Sequence, residues 1–205
     1  MLPGLSGSIR KQIAEAYGEV YHELVEKWAW RNEVFQDRLL RFARFCRKEG
    51  CILDLGCGFG RDVAFFSELG FKAAGIDICE EAIALGREIY GQKHLKQGDI
   101  LSVDAACPWQ LLDGIWCRGV IFHLDREQLR ELSHKLYMLT ASGAVLYFQA
   151  FSGTGYQYRR IAETDSYTHY FFHQRAFVTE TFINAGFEVL LDQSTSDEVR
   201  LFFEK

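Results

Sequence analysis

Asp54 stands two residues ahead of three alternating glycines, Gly56, Gly58 and Gly60, and Arg61 and Asp62 follow at once. Glycine has no Cβ, so such a turn takes positive φ without strain and leaves nothing in the way of a ligand lying against the backbone. A second carboxylate, Asp77, closes the apolar run Phe71-Lys72-Ala73-Ala74-Gly75-Ile76-Asp77. Its two oxygens suit a pair of neighbouring hydroxyl donors, and the next residue, Ile78, is apolar. Further along, His123 is the best candidate for moving a proton near neutrality. Arg159 and Arg160 bring guanidinium forks that suit a carboxylate or a phosphate.

These residues need elements to hold them. Ile52-Leu53-Asp54-Leu55 reads as a short buried strand, the glycines as a turn, and the run from Val63 to Leu69 as a helix. Open α/β sheets seat their ligands at such strand-to-helix turns. A dinucleotide turn would carry glycine at the sixth position of G-x-G-x-x-G. Arg61 occupies that position here, and the third glycine falls one residue early. After Asp77 a helix is expected over Glu80 to Tyr90, with Ala82, Ile83, Leu85, Ile89 and Tyr90 on its apolar face. Further strand segments are His94 to Ile100, Asp113 to Leu124 (a strand ended by Cys117 and its following loop), Ser142 to Ala150 (a turn and strand), Asn184 to Leu190 (a helix end and strand) and Val199 to Phe203. Asn184-Ala185-Gly186 marks a helix end with Gly186 at the C′ position.

The D-x-G-x-G core at Asp54 to Gly58, the acid at Asp77, Gly98-Asp99-Ile100, the run Asp113-Gly114-Ile115-Trp116 closed by His123-Leu124, and Asn184-Ala185-Gly186-Phe187 come in one order. In that order they resemble the class I S-adenosylmethionine (SAM)-dependent methyltransferases, over roughly residues 50 to 205. The resemblance implies a seven-stranded mixed sheet of order 3-2-1-4-5-7-6, its last strand antiparallel, in a three-layer Rossmann-like α/β sandwich. It implies SAM as cofactor and S-adenosylhomocysteine as product. The cofactor set it implies is Asp54, Gly56, Cys57, Gly58, Gly60, Arg61, Asp77, Ile78, Asp99, Ile100, Cys117 and Arg118. Arg61 then stands where the methionine carboxylate is met, and Asp99 reaches the adenine amino group. Phe59 replaces the proline frequent in this turn but keeps its amide.

Two regions outside the motifs vary. Ser8 is the expected cap of a helix through Ile13, Ala16, Tyr17, Val20, Leu24 and Trp28, and a second helix is expected from Asn32 to Arg47 along Val34, Phe35, Leu39, Phe42 and Phe45. In the resembling enzymes such helices form a lid. Ile13-Ala14-Glu15-Ala16-Tyr17 resembles their A-x-x-Y, whose tyrosine borders the active site, with Tyr21 one turn on as the alternative. Both tyrosines also suit a purely amphipathic role. The second region, Phe151 to Gln174, is rich in Tyr, Phe and His and lies where these enzymes carry their acceptor insert. Aromatic faces there suit a flat or apolar acceptor, or a cationic amine, and equally suit sealing the lid onto the sheet. His169 and His173 have a metal-compatible spacing, but no acidic third ligand is near, so no metal is expected.

The chain of 205 residues, 48% hydrophobic and 25% charged, fits a single domain, with residues 1–49 as lid and 50–205 as core. A net charge of −5 leaves no electrostatic footprint for nucleic acid. No apolar run spans a bilayer and no signal-peptide core opens the chain, so no membrane is expected and the cytoplasm is the expected compartment. The six cysteines form no C-x-x-C pair and read as reduced, buried thiols. Neither the Asn/Asp-Pro-Pro-Tyr of DNA amino-methyltransferases nor a catechol-type metal set is present. The reading is methyl transfer to a small-molecule acceptor through O, N or S. Tyr17, Tyr21 and His123 are the catalytic candidates. A non-catalytic SAM-binding partner protein and an NAD-linked oxidoreductase remain as alternatives, and the oligomeric state stays open.

Overall fold

The computed structural model describes residues 5–28, 33–91, 93–161 and 164–205. In chain order the elements are α1 (Leu5–Trp28), α2 (Glu33–Phe45), β1 (Cys51–Leu55), α3 (Arg61–Glu68), β2 (Lys72–Asp77), α4 (Glu80–Tyr90) and β3 (Leu95–Gln97). There follow α5 (Val103–Ala106), β4 (Leu112–Arg118), α6 (Arg126–Leu139), β5 (Thr140–Phe151), β6 (Gly155–Arg160), β7 (Tyr167–Phe172), α7 (Arg175–Ala185), β8 (Glu188–Asp192) and β9 (Glu198–Glu204).

Seven strands form one sheet in the order β3-β2-β1-β4-β5-β9-β8. The first five are parallel, and β9 runs antiparallel to both β5 and β8. The hairpin β6-β7 stands apart as its own two-stranded sheet. With its two strands left out of the count, the order is the expected 3-2-1-4-5-7-6. Parallel strands need both faces covered, and alternation along each strand supplies the two faces. Leu53, Ile115, Phe148 and Phe203 pack with α6 and α7 through Leu129, Leu132, Val178 and Phe182. Their chain neighbours Ile52, Trp116, Tyr147 and Phe202 pack on the opposite face with α2 and α3 through Leu39, Phe42, Val63 and Phe66.

Helix ends are set by local chemistry. Asp125 and Gln128 form a reciprocal capping box that starts α6. Gly186, at φ 111°, ends α7, and its N–H donates to the Ile183 carbonyl. Ser8 is not the cap of α1: the helix already runs from Leu5. The reciprocal half of a cap is missing at Ser8, because Lys11 stands where Glu or Gln would complete it. The side chains of Trp28, Val34 and Phe35, and residue Asn32, lie outside the described residues. The strand expected over His94 to Ile100 is shorter, ending at Gln97, because Asp99 turns the chain into a single 3-10 turn over Ile100–Ser102.

Strand β1 pairs with β2 on one side and β4 on the other. This is where the strand order reverses, and the crevice at the carboxyl ends opens there. Helix α1 crosses above it, packing Tyr21 on Phe59 and setting Ala16, Val20 and Leu24 against Ile161. Among the described residues no helix is long and apolar enough to cross a membrane.

Phe182 is fully buried, with ring centroids 4.3 Å from Phe148 and 4.9 Å from Phe203. Phe182→Ala should lower unfolding stability by about 3–5 kcal/mol in urea titrations while leaving cofactor affinity unchanged, since Phe182 does not line the crevice.

Candidate active site

A cavity of about 470 Å³ opens at the crevice. Its floor is the glycine turn. Gly56, Gly58 and Gly60 have φ of 70°, 55° and 75°, the left-handed region that glycine adopts freely. A Cβ on Gly56 would lie 2.5 Å from Val120, and one on Gly58 would lie 2.0 Å from the Tyr21 hydroxyl. The missing side chains thus let Val120 and the Tyr21 hydroxyl pack directly onto the turn. Gly56 and Cys57 both donate their amides to the Ile76 carbonyl, at 2.8 and 3.1 Å.

Asp77 joins this turn to the next one. Its two oxygens accept the amides of Gly58 at 2.8 Å and Cys79 at 2.9 Å. A carboxylate offers about four lone-pair sites, so Asp77, which lines the cavity, keeps acceptor capacity for a hydroxyl donor. Burial raises the Asp77 pKa, and the amides of Cys79, Gly58 and Ile78 oppose it. Asp99 caps the turn after β3 by accepting from Leu101 at 2.9 Å, and it also pairs with Arg10 of α1. Helix α1 is thus tied to the rim by an ion pair.

On the other side sits Asp62, 5% exposed. It accepts from Arg61 Nε at 3.0 Å, Trp116 Nε1 at 3.0 Å and Arg118 Nε at 3.1 Å. Burial pushes its pKa up, but Arg118, Arg61 and the hydrogen bonds pull harder, and the net shift is downward. Asp54 moves the opposite way. Burial, with the Asp62 charge second, raises it well above the usual carboxylate range. An ammonium group beside Asp54 would offset that cost, and an acidic wall next to the apolar Ile78 and Ile100 fits a cationic adenosyl ligand.

Tyr17 and His123 form the opposite wall, with Tyr17 Oη 3.1 Å from His123 Nε2. His123 Nδ1 lies 2.7 Å from the His169 carbonyl, an acceptor only, so Nδ1 carries the proton and Nε2 keeps a lone pair for the Tyr17 hydroxyl. Burial lowers the His123 pKa to about 4, and the ring is neutral near pH 7. Burial raises Tyr17 well above its ordinary value. The two candidate tyrosines have separated: Tyr17 meets His123, and Tyr21 covers Gly58.

Asp54, Gly56, Cys57, Gly58, Arg61, Asp77, Ile78, Asp99, Ile100 and Arg118 all line this one cavity, with Tyr17, Tyr21 and His123. Gly60 lies beneath the turn against Leu95. Cys117 does not line it. Alternation along β4 sends Trp116 and Arg118 to the Asp62 side and Cys117, fully buried, into the core on the other face. His169 and His173 spend ring nitrogens on Gln12, Tyr156 and the Leu124 carbonyl. Phe151 and Tyr170 of the aromatic insert also line the cavity, and sequence reasoning missed Arg10, Asp62 and Phe122, which line it too. The i, i+2 pair Trp116 and Arg118 was the one signal for Asp62.

The neutral state of His123 makes stability depend on pH. A pKa lowered from 6.5 to about 4 gives a contribution that is complete above pH 6.5 and is lost as pH falls toward 4. Wild type should therefore lose about 2 kcal/mol more than His123→Asn between pH 7.5 and pH 5, read from urea midpoints. Asp54, Asp77 and His173 titrate in both proteins and cancel in the comparison.

A methyltransferase domain family model matches residues 27–191, most of the chain. No curated protein matches the sequence. Among solved structures, a TehB-like SAM-dependent methyltransferase from Corynebacterium glutamicum superposes with a TM-score of 0.70 at 20% identity, covering 93% of this chain and 99% of its own. A SAM-dependent methyltransferase from Archaeoglobus fulgidus gives 0.67 at 18% identity, covering 90% and 99%. The glycopeptide N-methyltransferase MtfA in complex with SAM gives 0.63 at 15% identity, covering 82% and 92%. The chain belongs to the methyltransferase domain family and has the fold of the class I SAM-dependent enzymes.

Proposed function

We propose that this methyltransferase moves the methyl group of SAM to a small-molecule acceptor, within one unit whose N-terminal helices act as lid over the core. The observation that carries the reading is the single cavity joining the glycine turn and Asp77 to the Tyr17–His123 pair. Bound SAM supplies a methyl carbon made electrophilic by its sulfonium. Asp77 is the residue for the ribose hydroxyls, and Asp54 with Arg61 serves the amino and carboxylate ends of the methionine part. Ile78, Ile100 and Asp99 flank the adenine, while Gly56, Cys57 and Gly58 give the close backbone approach and Gly60 shapes the turn from beneath. Arg118 serves the site by holding Asp62.

His123, neutral near pH 7, is the base of the relay, although burial makes it a weaker base than a free imidazole. Its Nε2 lone pair already accepts the Tyr17 hydroxyl. The proton an O- or N-acceptor loses passes to Tyr17 Oη as the Tyr17 proton moves to His123 Nε2, and no tyrosinate has to form in a buried site. Alignment and exclusion of water by α1 do the rest. A thiol that ionises in solution would need no such relay.

Radiolabelled methyl transfer from SAM, screened over small hydroxyl, amine and thiol acceptors, tests the reading. Once an acceptor is found, Tyr17→Phe and His123→Asn should each cut kcat for a hydroxyl or amine acceptor by roughly 10²–10⁴-fold at unchanged SAM affinity. Full kcat in both variants would remove the relay, and no transfer to any small acceptor would count against the small-molecule class.

A further inference from the structure

The charges along the cavity are unevenly spread. The part around the glycine turn carries Asp54, Asp62, Asp77 and Asp99 against Arg10, Arg61 and Arg118. Beyond His123 the lining changes to Phe122, Phe151, Tyr170 and Ile161 with Arg159 and Arg160, and among the described residues no carboxylate lines that stretch. Phe122 stacks on Phe151 and on Tyr170, each at 5.0 Å between centroids. The Tyr170 ring is 5.3 Å from His123, so the aromatic wall starts at the proton relay.

Arg159 lies over this wall, its guanidinium carbon 5.7 Å from the Phe151 centroid and 5.5 Å from that of Tyr170. Arg160 has Asp165 at 3.7 Å, whereas Arg159 makes no ion pair among the described residues. The π faces that might have held a cationic amine are already under a cation. An amine acceptor with its own positive charge would meet Arg159 instead of a ring. A planar guanidinium held against rings keeps its edge N–H groups together as a fork, the geometry that takes a carboxylate in bidentate fashion.

We infer that this stretch seats a small organic acid, with its carboxylate on Arg159, its apolar body against Phe122, Phe151 and Tyr170, and its accepting atom toward Tyr17 and His123. The inference rests on the proposed methyl transfer and names its acceptor class. Arg159 is exposed to solvent, which screens the pair and limits its effect to about tenfold rather than thousands.

The test is calorimetric titration of 4-hydroxybenzoate, 4-hydroxyphenyl phosphate, 4-hydroxybenzyl alcohol and tyramine into wild type and Arg159→Gln. Each titration is run with and without saturating S-adenosylhomocysteine. The benzoate should bind wild type about tenfold more tightly than the alcohol, with the phosphate weaker than the benzoate and tyramine weakest. Arg159→Gln should remove the preference for the acid and leave S-adenosylhomocysteine affinity unchanged. The inference is overturned by equal binding of acid and alcohol, by tighter binding of tyramine, by acid affinity unmoved in Arg159→Gln, or by no benzoate binding at millimolar concentration. A phosphate ester bound more tightly than the benzoate, and dependent on Arg159, overturns the carboxylate in favour of a phosphate. S-Adenosylhomocysteine is titrated on its own as well. Its failure to bind would count against the cofactor reading, while the acid arms without it still report on Arg159.

Discussion

One buried carboxylate, Asp62, fixes the geometry on which the site depends. It sits in the first turn of α3, directly after the glycine turn, and takes three N–H donors from Arg61, Trp116 and Arg118. Two of these donors belong to β4, so the bonds lock the start of α3 to the neighbouring strand across the crevice. A charge buried this deeply is tolerable only when it is paired and hydrogen-bonded. Removing any one donor leaves the others competing for an under-satisfied anion. Trp116 is held in turn by Tyr147, stacked at 4.2 Å, and by Phe42 and Phe66. The polar lock is therefore seated in the aromatic core beneath the sheet.

From that fixed floor the rest of the cavity is assembled by short links. Asp77 holds the turns after β1 and β2 together through two backbone amides. Helix α1 closes over them, and its two tyrosines divide the work by one helical turn. Tyr21 packs where Gly58 has no side chain, and Tyr17 reaches the histidine beyond β4. Arg10, near the start of the same helix, joins it to Asp99.

The sheet and the floor of the site were largely legible in the sequence because their signals are local. Apolar strands such as Ile52-Leu53 and Val199 to Phe203, the turn glycines and the C′ glycine Gly186 each announce their backbone conformation within a few residues. What stayed hidden is set by distant partners. Asp62 reads as an ordinary first-turn acid until Trp116 and Arg118, more than fifty residues later, come to lie above it. Cys117 was assigned to the site by resemblance, yet period-two alternation next to Trp116 already sent it to the other face. The insert read as aromatic lining, and it is a hairpin that pairs Tyr158 with His169 and Arg159 with Thr168. Its pairing could not be read off, because its exposed outer strand lacks the apolar alternation that marks a buried one.

The central claim is that the glycine turn and Asp77 together hold an adenosyl cofactor. Calorimetric titration of S-adenosylhomocysteine into wild type and Asp77→Ala, with urea midpoints to check that both are folded, tests it most directly. The account predicts micromolar binding to wild type and a loss of at least about a hundredfold in the variant, roughly the 3 kcal/mol that charge-assisted hydrogen bonds supply. Absence of binding to folded wild type, or equal affinity in the two proteins, would contradict it.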